Sequence, residues 1–225
     1  MTTPSNLPGL RVGFVPGVTV TKWRRIWAER FPTVALELVE VPVAGQRRAV
    51  VEGDVDMCFV RLPVDTEGLH AIPLYDEAPV AWMSKDFLLA ALDEVTAEDL
   101  ADVRVIEDAE PESIELASYS AAVLRVPMSI ARSGSRRDMV YLPVVDAPPT
   151  TVALAWRADN ELEWIDEFIG VVRGRSADSS RTARDRTARQ GGADEATKQP
   201  AKAKPARRAP HPPRPAARGR RPRRR

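Results

Sequence analysis

The stretch LRVGFVPGVTVTKWRRIWAERFPTVALELVE, residues 10–40, decides how the rest of the chain is read. Leu10 to Val15 is a near-continuous apolar run broken by Gly13, the pattern of a strand covered on both faces. Trp23, Ile26, Trp27 and Phe31 then recur at helical spacing until Pro32 stops the helix. Ala35 to Val41 alternates, with Glu37 between Leu36 and Leu38, and Pro42 closes this second strand. Further out, a short helix from about Ala44 to Glu52 stops at Gly53, a position suited to a left-handed cap, and Val55 to Val60 makes a third strand. Strand, helix, strand, helix, strand with short connections predicts an open parallel sheet with helices on both faces. Ligands of such sheets sit beyond the carboxyl ends of the strands, which here are Pro16-Gly17-Val18-Thr19 and Arg61-Leu62-Pro63.

After Gly68 the pattern changes. Leu69 to Tyr75 and Pro79 to Met83 are extended runs flanking Asp76-Glu77, which reads as an antiparallel turn. A helix is expected from Lys85 to Leu92, a short strand at Val103 to Ile106, a helix at Ile114 to Ala122 and a strand at Val123 to Val126. Met139 to Val145 and Thr151 to Trp156 are strands on either side of Pro148-Pro149, and Leu162 to Val172 is a final amphipathic helix.

The net charge of +1 hides two opposite halves. From Ser176 onward there are 16 Lys/Arg and 4 Asp/Glu, against 17 basic and 28 acidic residues before it. After Val172 no Val, Ile, Leu, Met, Phe, Trp or Tyr occurs, so nothing there offsets the entropy of ordering a chain, and 176–225 is expected to be disordered, as are residues 1–9. The remaining 10–175 hold the whole apolar inventory, a size suited to a single domain or to two small lobes. One Cys in an apolar run, Cys58, excludes an intramolecular disulfide framework and suits a reducing compartment. Met1 to Gly9 has no signal-peptide pattern and no stretch is apolar enough to span a bilayer, so a cytoplasmic protein without membrane contact is expected.

Catalytic chemistry finds little support. His70 and His211 have no metal-ligating or carboxylate partner at a useful spacing, so no metal and no cofactor is implied. Gly9, Gly13 and Gly17 lack the Lys-Ser/Thr of a phosphate loop, and Asp108, Glu110, Glu112 and Glu115 read as a solvated acidic run. Trp23, Trp27 and Phe31 read as core or interface. Thr19 and Thr21, both candidate helix caps, and Arg61 are different: hydroxyls at a helix start beside a guanidinium suit a small carboxylate.

Leu10 to Arg61, Val60-Arg-Leu-Pro63, Ala122 to Arg132 and Asp146 to Trp156, in that order and spacing, resemble the effector-binding domain of LysR-type transcriptional regulators, of an actinobacterial type. The resemblance covers about Leu10 to Arg175. It implies an α/β fold of the type 2 periplasmic-binding-protein kind, with two α/β lobes joined by crossing hinge strands and a small effector between them. Lobe I would comprise 10–83 and 139–175, lobe II 84–138, with crossings near Asp76 and Met139. The resemblance places pocket residues at Val18 and Thr19, at Arg61 and Pro63, and at Pro127 and Ser129, to which the helix-start reading adds Thr21. It implies a non-enzymatic sensor that binds a small molecule, for which the Thr19, Thr21 and Arg61 reading suggests a carboxylate, and that pairs as a homodimer or with a partner regulator. No winged helix-turn-helix is expected, since the first sheet strand starts at about Leu10, and the segment from Ile106 to Ile114 is short for the family's second lobe. A protein with a decayed cleft that acts only by dimerising or by coating DNA is the alternative.

From Lys198 to Arg225 there are 12 Lys/Arg, no acid and 7 prolines. Such a cationic, extended arm favours DNA or RNA through counterion release, and Arg207, Arg208, Arg214, Arg218, Arg220, Arg221, Arg223, Arg224 and Arg225 are its candidate contacts. Docking of the arm on the acidic domain is its rival.

Overall fold

A computed structural model describes residues 9–174. Of the segments expected to be disordered, residues 1–8 and the tail with its candidate arginines from Arg207 to Arg225 lie outside the described residues, whereas Gly9, expected with the first of them, opens a strand.

The opening pattern folds as its periodicity dictates. β1 (Gly9–Phe14) lies parallel to β2 (Ala35–Glu40) and to β3 (Met57–Arg61), with α1 (Thr21–Arg30) and α2 (Gln46–Val51) as the crossovers. Gly53 ends the second crossover at a φ of +76°, in the left-handed region glycine enters without steric cost. All five residues of β3 are buried, because both faces of the sheet are covered. Met57 and Phe59 point to the layer holding α1 and α5 (Trp164–Val172), Cys58 and Val60 to the layer holding α2. Trp27, the buried residue of α1, packs 5.7 Å from the Phe168 ring of α5 and donates its indole N–H to the Val34 carbonyl at 3.0 Å. Trp23 stacks on Phe59 at 4.6 Å, so the aromatic stripe of α1 is core.

Beyond β3 the sheet is mixed. β4 (Leu69–Glu77) and β9 (Thr150–Arg157) run antiparallel, giving the order β2-β1-β3-β9-β4. A second sheet, in the order β6-β7-β5-β8, contains β5 (Pro79–Ser84), β6 (Val105–Ile106), β7 (Val123–Pro127) and β8 (Met139–Pro143). α3 (Pro111–Ser118) and α4 (Met128–Ser133) cover one face of it around Trp82, and the 84–104 segment covers the other around Met83.

Several expectations are corrected. Asp76-Glu77 is not a turn: β4 runs into β5 with only Ala78 between them, and the two strands pair in different sheets. Pro79–Ser84 and Met139–Pro143, read as part of the first lobe, are the central and edge strands of the second sheet. The chain therefore returns between Pro143 and Thr150, after rather than before β8. The reason is that β5 is apolar from Pro79 to Met83, so its sequence announces burial without saying against which sheet. The helix expected at Lys85 to Leu92 reduces to a 3-10 turn at Leu88–Ala91, where Leu88 is exposed and no long apolar stripe exists to hold more turns. Neither Thr19 nor Thr21 caps α1: its N-cap is Val20, with no side-chain capping bond.

Candidate functional site

The two sheets meet where the ends of β1, β3 and β7 come together. Arg61, the last residue of β3, is buried with its side chain 6% exposed. Its backbone is clamped by Gln46 of α2: the Gln46 amide donates to the Arg61 carbonyl at 2.9 Å and accepts from the Arg61 N–H at 2.8 Å. The guanidinium turns toward the hinge, where Nε and Nη2 both donate to Oε2 of Glu77, at 3.1 and 2.9 Å. Nη2 also donates to Oγ of Ser129 on α4, at 3.2 Å, so one side chain joins the first lobe, the hinge strand and the second lobe. Nη1 is buried and has no hydrogen-bond partner. A buried donor left unpaired costs free energy unless something else supplies the acceptor.

Gly17 makes this convergence sterically feasible. At a φ of +88°, a Cβ there would stand 2.6 Å from Ser129 Oγ and 3.1 Å from Arg61 Nη2, so only glycine lets the β1 loop lie so close to both lobes.

The Arg61–Glu77–Ser129 bridge lies between two cavities. The larger, about 840 Å³, lies between the lobes. Arg61, Leu62 and Pro63 line it from the first lobe, Trp82, Ile114 and Ile130 from the second, and its surface is mostly apolar. Three carboxylates of the β6–α3 loop, Glu107, Asp108 and Glu110, stand on its wall, with Arg125 of β7 ion-paired to Glu107. The smaller, about 530 Å³, is lined by Glu77 and Ser129 together with Gly17, Thr19, Tyr75 and Arg132. Burial pushes the Tyr75 phenol up, and the adjacent Glu77 adds to the rise while Arg61 opposes it. Thr151 donates to Asp76 at 2.6 Å beside it.

Of the positions singled out in the sequence, Arg61, Pro63 and Pro127 line the larger cavity, while Thr19 and Ser129 line the smaller. Val18 is buried in the first-lobe core, and exposed Thr21 lines neither. Glu77, Gln46 and Trp82 were not anticipated. A polar Gln on the inner face of a short helix was the one available signal, and it pointed to burial with a partner. Among the described residues no group of three or more His, Cys, Asp or Glu is placed to hold a metal ion, and no helix is long and apolar enough to cross a membrane. Cys58 is buried in the sheet and its thiol is pushed from 9.0 up to about 12 by desolvation.

Comparison with known proteins points the same way as this architecture. The model of the LysR substrate binding domain matches residues 8–115. The transcriptional activator HcaR of Escherichia coli is 22% identical over 205 residues, 75% of this chain and 68% of that protein. A "probable hydrogen peroxide-inducible genes activator" of Mycobacterium xenopi is 34% identical over 84 residues, and the chain spans only 40% of its length. Among solved structures, the BenM effector binding domain with its effector benzoate superposes with a TM-score of 0.63 at 18% identity, covering 77% of this chain and 94% of that one. The reduced form of OxyR does so with a TM-score of 0.63 at 18% identity, covering 75% and 96%. Residues 8–115 therefore match the LysR substrate binding domain model, and residues 9–174 share the fold of solved structures such as the BenM effector binding domain and reduced OxyR.

Proposed function

We propose that this domain is a non-enzymatic sensor that binds a small effector in the 840 Å³ interlobe cleft, with Arg61 as its polar anchor. The observation that carries this reading is the buried Nη1 of Arg61, a charged donor without a partner on a residue that lines an otherwise largely apolar cavity. The volume suits a small metabolite, and the open cleft favours ligand capture over the decayed-cleft alternative. An acceptor placed on Nη1 satisfies the orphan donor and, because Nη2 already reaches Ser129, draws the lobes together; closure then changes the surface offered to a second copy or a partner regulator. The test is thermal unfolding of the whole chain against small carboxylates and aromatic acids, benzoate included. A raised midpoint with at least one compound, lost in Arg61→Gln, supports the reading; no shift with any compound overturns it.

Peroxide sensing through a thiol is not proposed, although relatives bear peroxide in their names. Peroxide reacts with the thiolate, and Cys58, buried with its thiol pushed up to about 12, holds almost none at neutral pH.

The basic arm, outside the described residues, is proposed to supply sequence-independent contact with DNA or RNA, in keeping with cytoplasmic work on the chromosome. Its support is charge alone: 12 Lys/Arg and no acid from Lys198 to Arg225. Gel shifts of the whole chain and of a version ending at Arg175, at two salt concentrations, test it. If about six phosphates are neutralised, log affinity falls with log salt at a slope of about −5. Equal binding by both versions would remove the arm from the interface.

A further inference from the structure

The cleft wall carries two guanidinium groups, Arg61 and Arg125, and both are already neutralised by carboxylates of the chain itself, Glu77 and Glu107. Asp108 and Glu110 remain on the same wall without a cation among the described ion pairs; among the described residues the Asp108 carboxylate accepts the Glu110 backbone N–H, at 3.1 Å, in a local turn. The helix dipole of α3 accounts for an acid near its first turn, a role Glu112 already fills without lining the cleft. Net charge on the cavity surface is therefore negative, although the one buried unpartnered polar atom beside it is a donor.

A simple carboxylate would satisfy Nη1 of Arg61 but would gain little Coulomb attraction, because Glu77 cancels that charge at 2.9 Å. It would also face Asp108 and Glu110 across a cleft that loses water as the lobes close, where like charges repel more strongly. Resting on the effector reading above, we propose that the ligand carries an ammonium group as well as a carboxylate. Its carboxylate lies on Nη1 of Arg61, its ammonium on Asp108 and Glu110 of the other lobe, and its apolar body against Trp82, Ile114 and Ile130. The ligand class is an apolar amino acid or an amine-bearing acid of similar size. Each end engages a different lobe, so neither end alone closes the cleft.

Calorimetric titration of the full chain with three matched pairs tests this: leucine with 4-methylpentanoate, phenylalanine with 3-phenylpropanoate, and tryptophan with indole-3-propanoate. At least one amino acid should bind tenfold or more tighter than its amine-free partner. In the Asp108→Asn/Glu110→Gln double variant, altered only at exposed positions, that ratio should collapse toward one. An amine-free acid binding as well as or better than every matched amino acid overturns this inference and leaves the effector reading intact, as does a ratio that survives the double variant. Absence of binding by all six overturns this inference, and it overturns the effector reading too only where the wider panel of carboxylates, benzoate included, also leaves the unfolding midpoint unmoved.

Discussion

Arg61 and Glu77 form a buried ion pair whose two halves come from different strands, and each is 8% exposed or less. Removing one partner leaves an uncompensated charge away from water, so Glu77→Leu is expected to lower the free energy of unfolding by about 3–5 kcal/mol in urea denaturation. The double variant Arg61→Met/Glu77→Leu should recover most of that loss, since apolar groups of similar volume replace such pairs at little cost. A single loss no larger than that of the double variant would show that the pair is not coupled. Cys58 supplies a second residue-level expectation. In the unfolded chain its thiol ionises near 9.0, in the folded one near 12, because the sheet interior disfavours the thiolate. A raised folded value contributes stability that is complete below pH 9 and lost as pH climbs toward 12, and Tyr75, also raised, acts in the same direction. Stability measured from pH 8 to 11 should therefore decline, less steeply in Cys58→Ala; an equal slope would exclude the thiol as a source. Arg61 was legible in the sequence because it ends a buried strand of an α/β sheet. Its counter-ion was not: β9 lies between β3 and β4 in the sheet, so the pairing depends on a strand order no local pattern encodes.

Elements whose own periodicity decides their burial were read correctly, and those whose identity depends on a distant partner were not. α1 is the first kind: Trp23, Trp27 and Phe31 repeat at helical spacing and meet Phe59, Phe168 and Trp164 in the core. β5 and β8 are the second kind, since their apolar runs would satisfy either sheet and only pairing assigns them, β5 against β7 and β8 against β5. The α1–α5 contact yields a direct test. Phe168→Ala removes a fully buried ring touching Phe59 and Trp27, and is expected to cost about 3–5 kcal/mol in chemical denaturation. The loop after β1 gives another: Gly17→Ala combines a positive φ with a Cβ 2.6 Å from Ser129 Oγ, and should destabilise the fold by more than about 1 kcal/mol. If Gly17→Ala melts like the parent, the close approach of the β1 loop to α4 is not maintained in solution.

At the scale of the whole domain, the two-lobed plan was visible as a change of pattern after Gly68, and the first crossing falls close to Asp76 as expected, while the lobe boundary expected at 83 and the return expected near Met139 were displaced. Continuity of Leu69–Glu77 into Pro79–Ser84 hides only the change of sheet for Pro79–Ser84, because a bend of one residue leaves no cluster of turn-forming residues to mark it. Binding across the cleft would be measured as a whole-molecule property: a ligand at a hundred times its dissociation constant should raise unfolding free energy by about 2.7 kcal/mol. Glu77 and Thr150 stand directly opposite each other on neighbouring antiparallel strands, so everything from Ala78 to Pro149 leaves and re-enters the first sheet through a single doorway. In modular terms the second lobe is a cassette spliced into what would otherwise be a hairpin. Replacing the cassette by an Asn-Gly pair should leave an autonomous miniature of the first sheet with α1, α2 and α5, recognisable by a cooperative melt and retained near-ultraviolet circular dichroism.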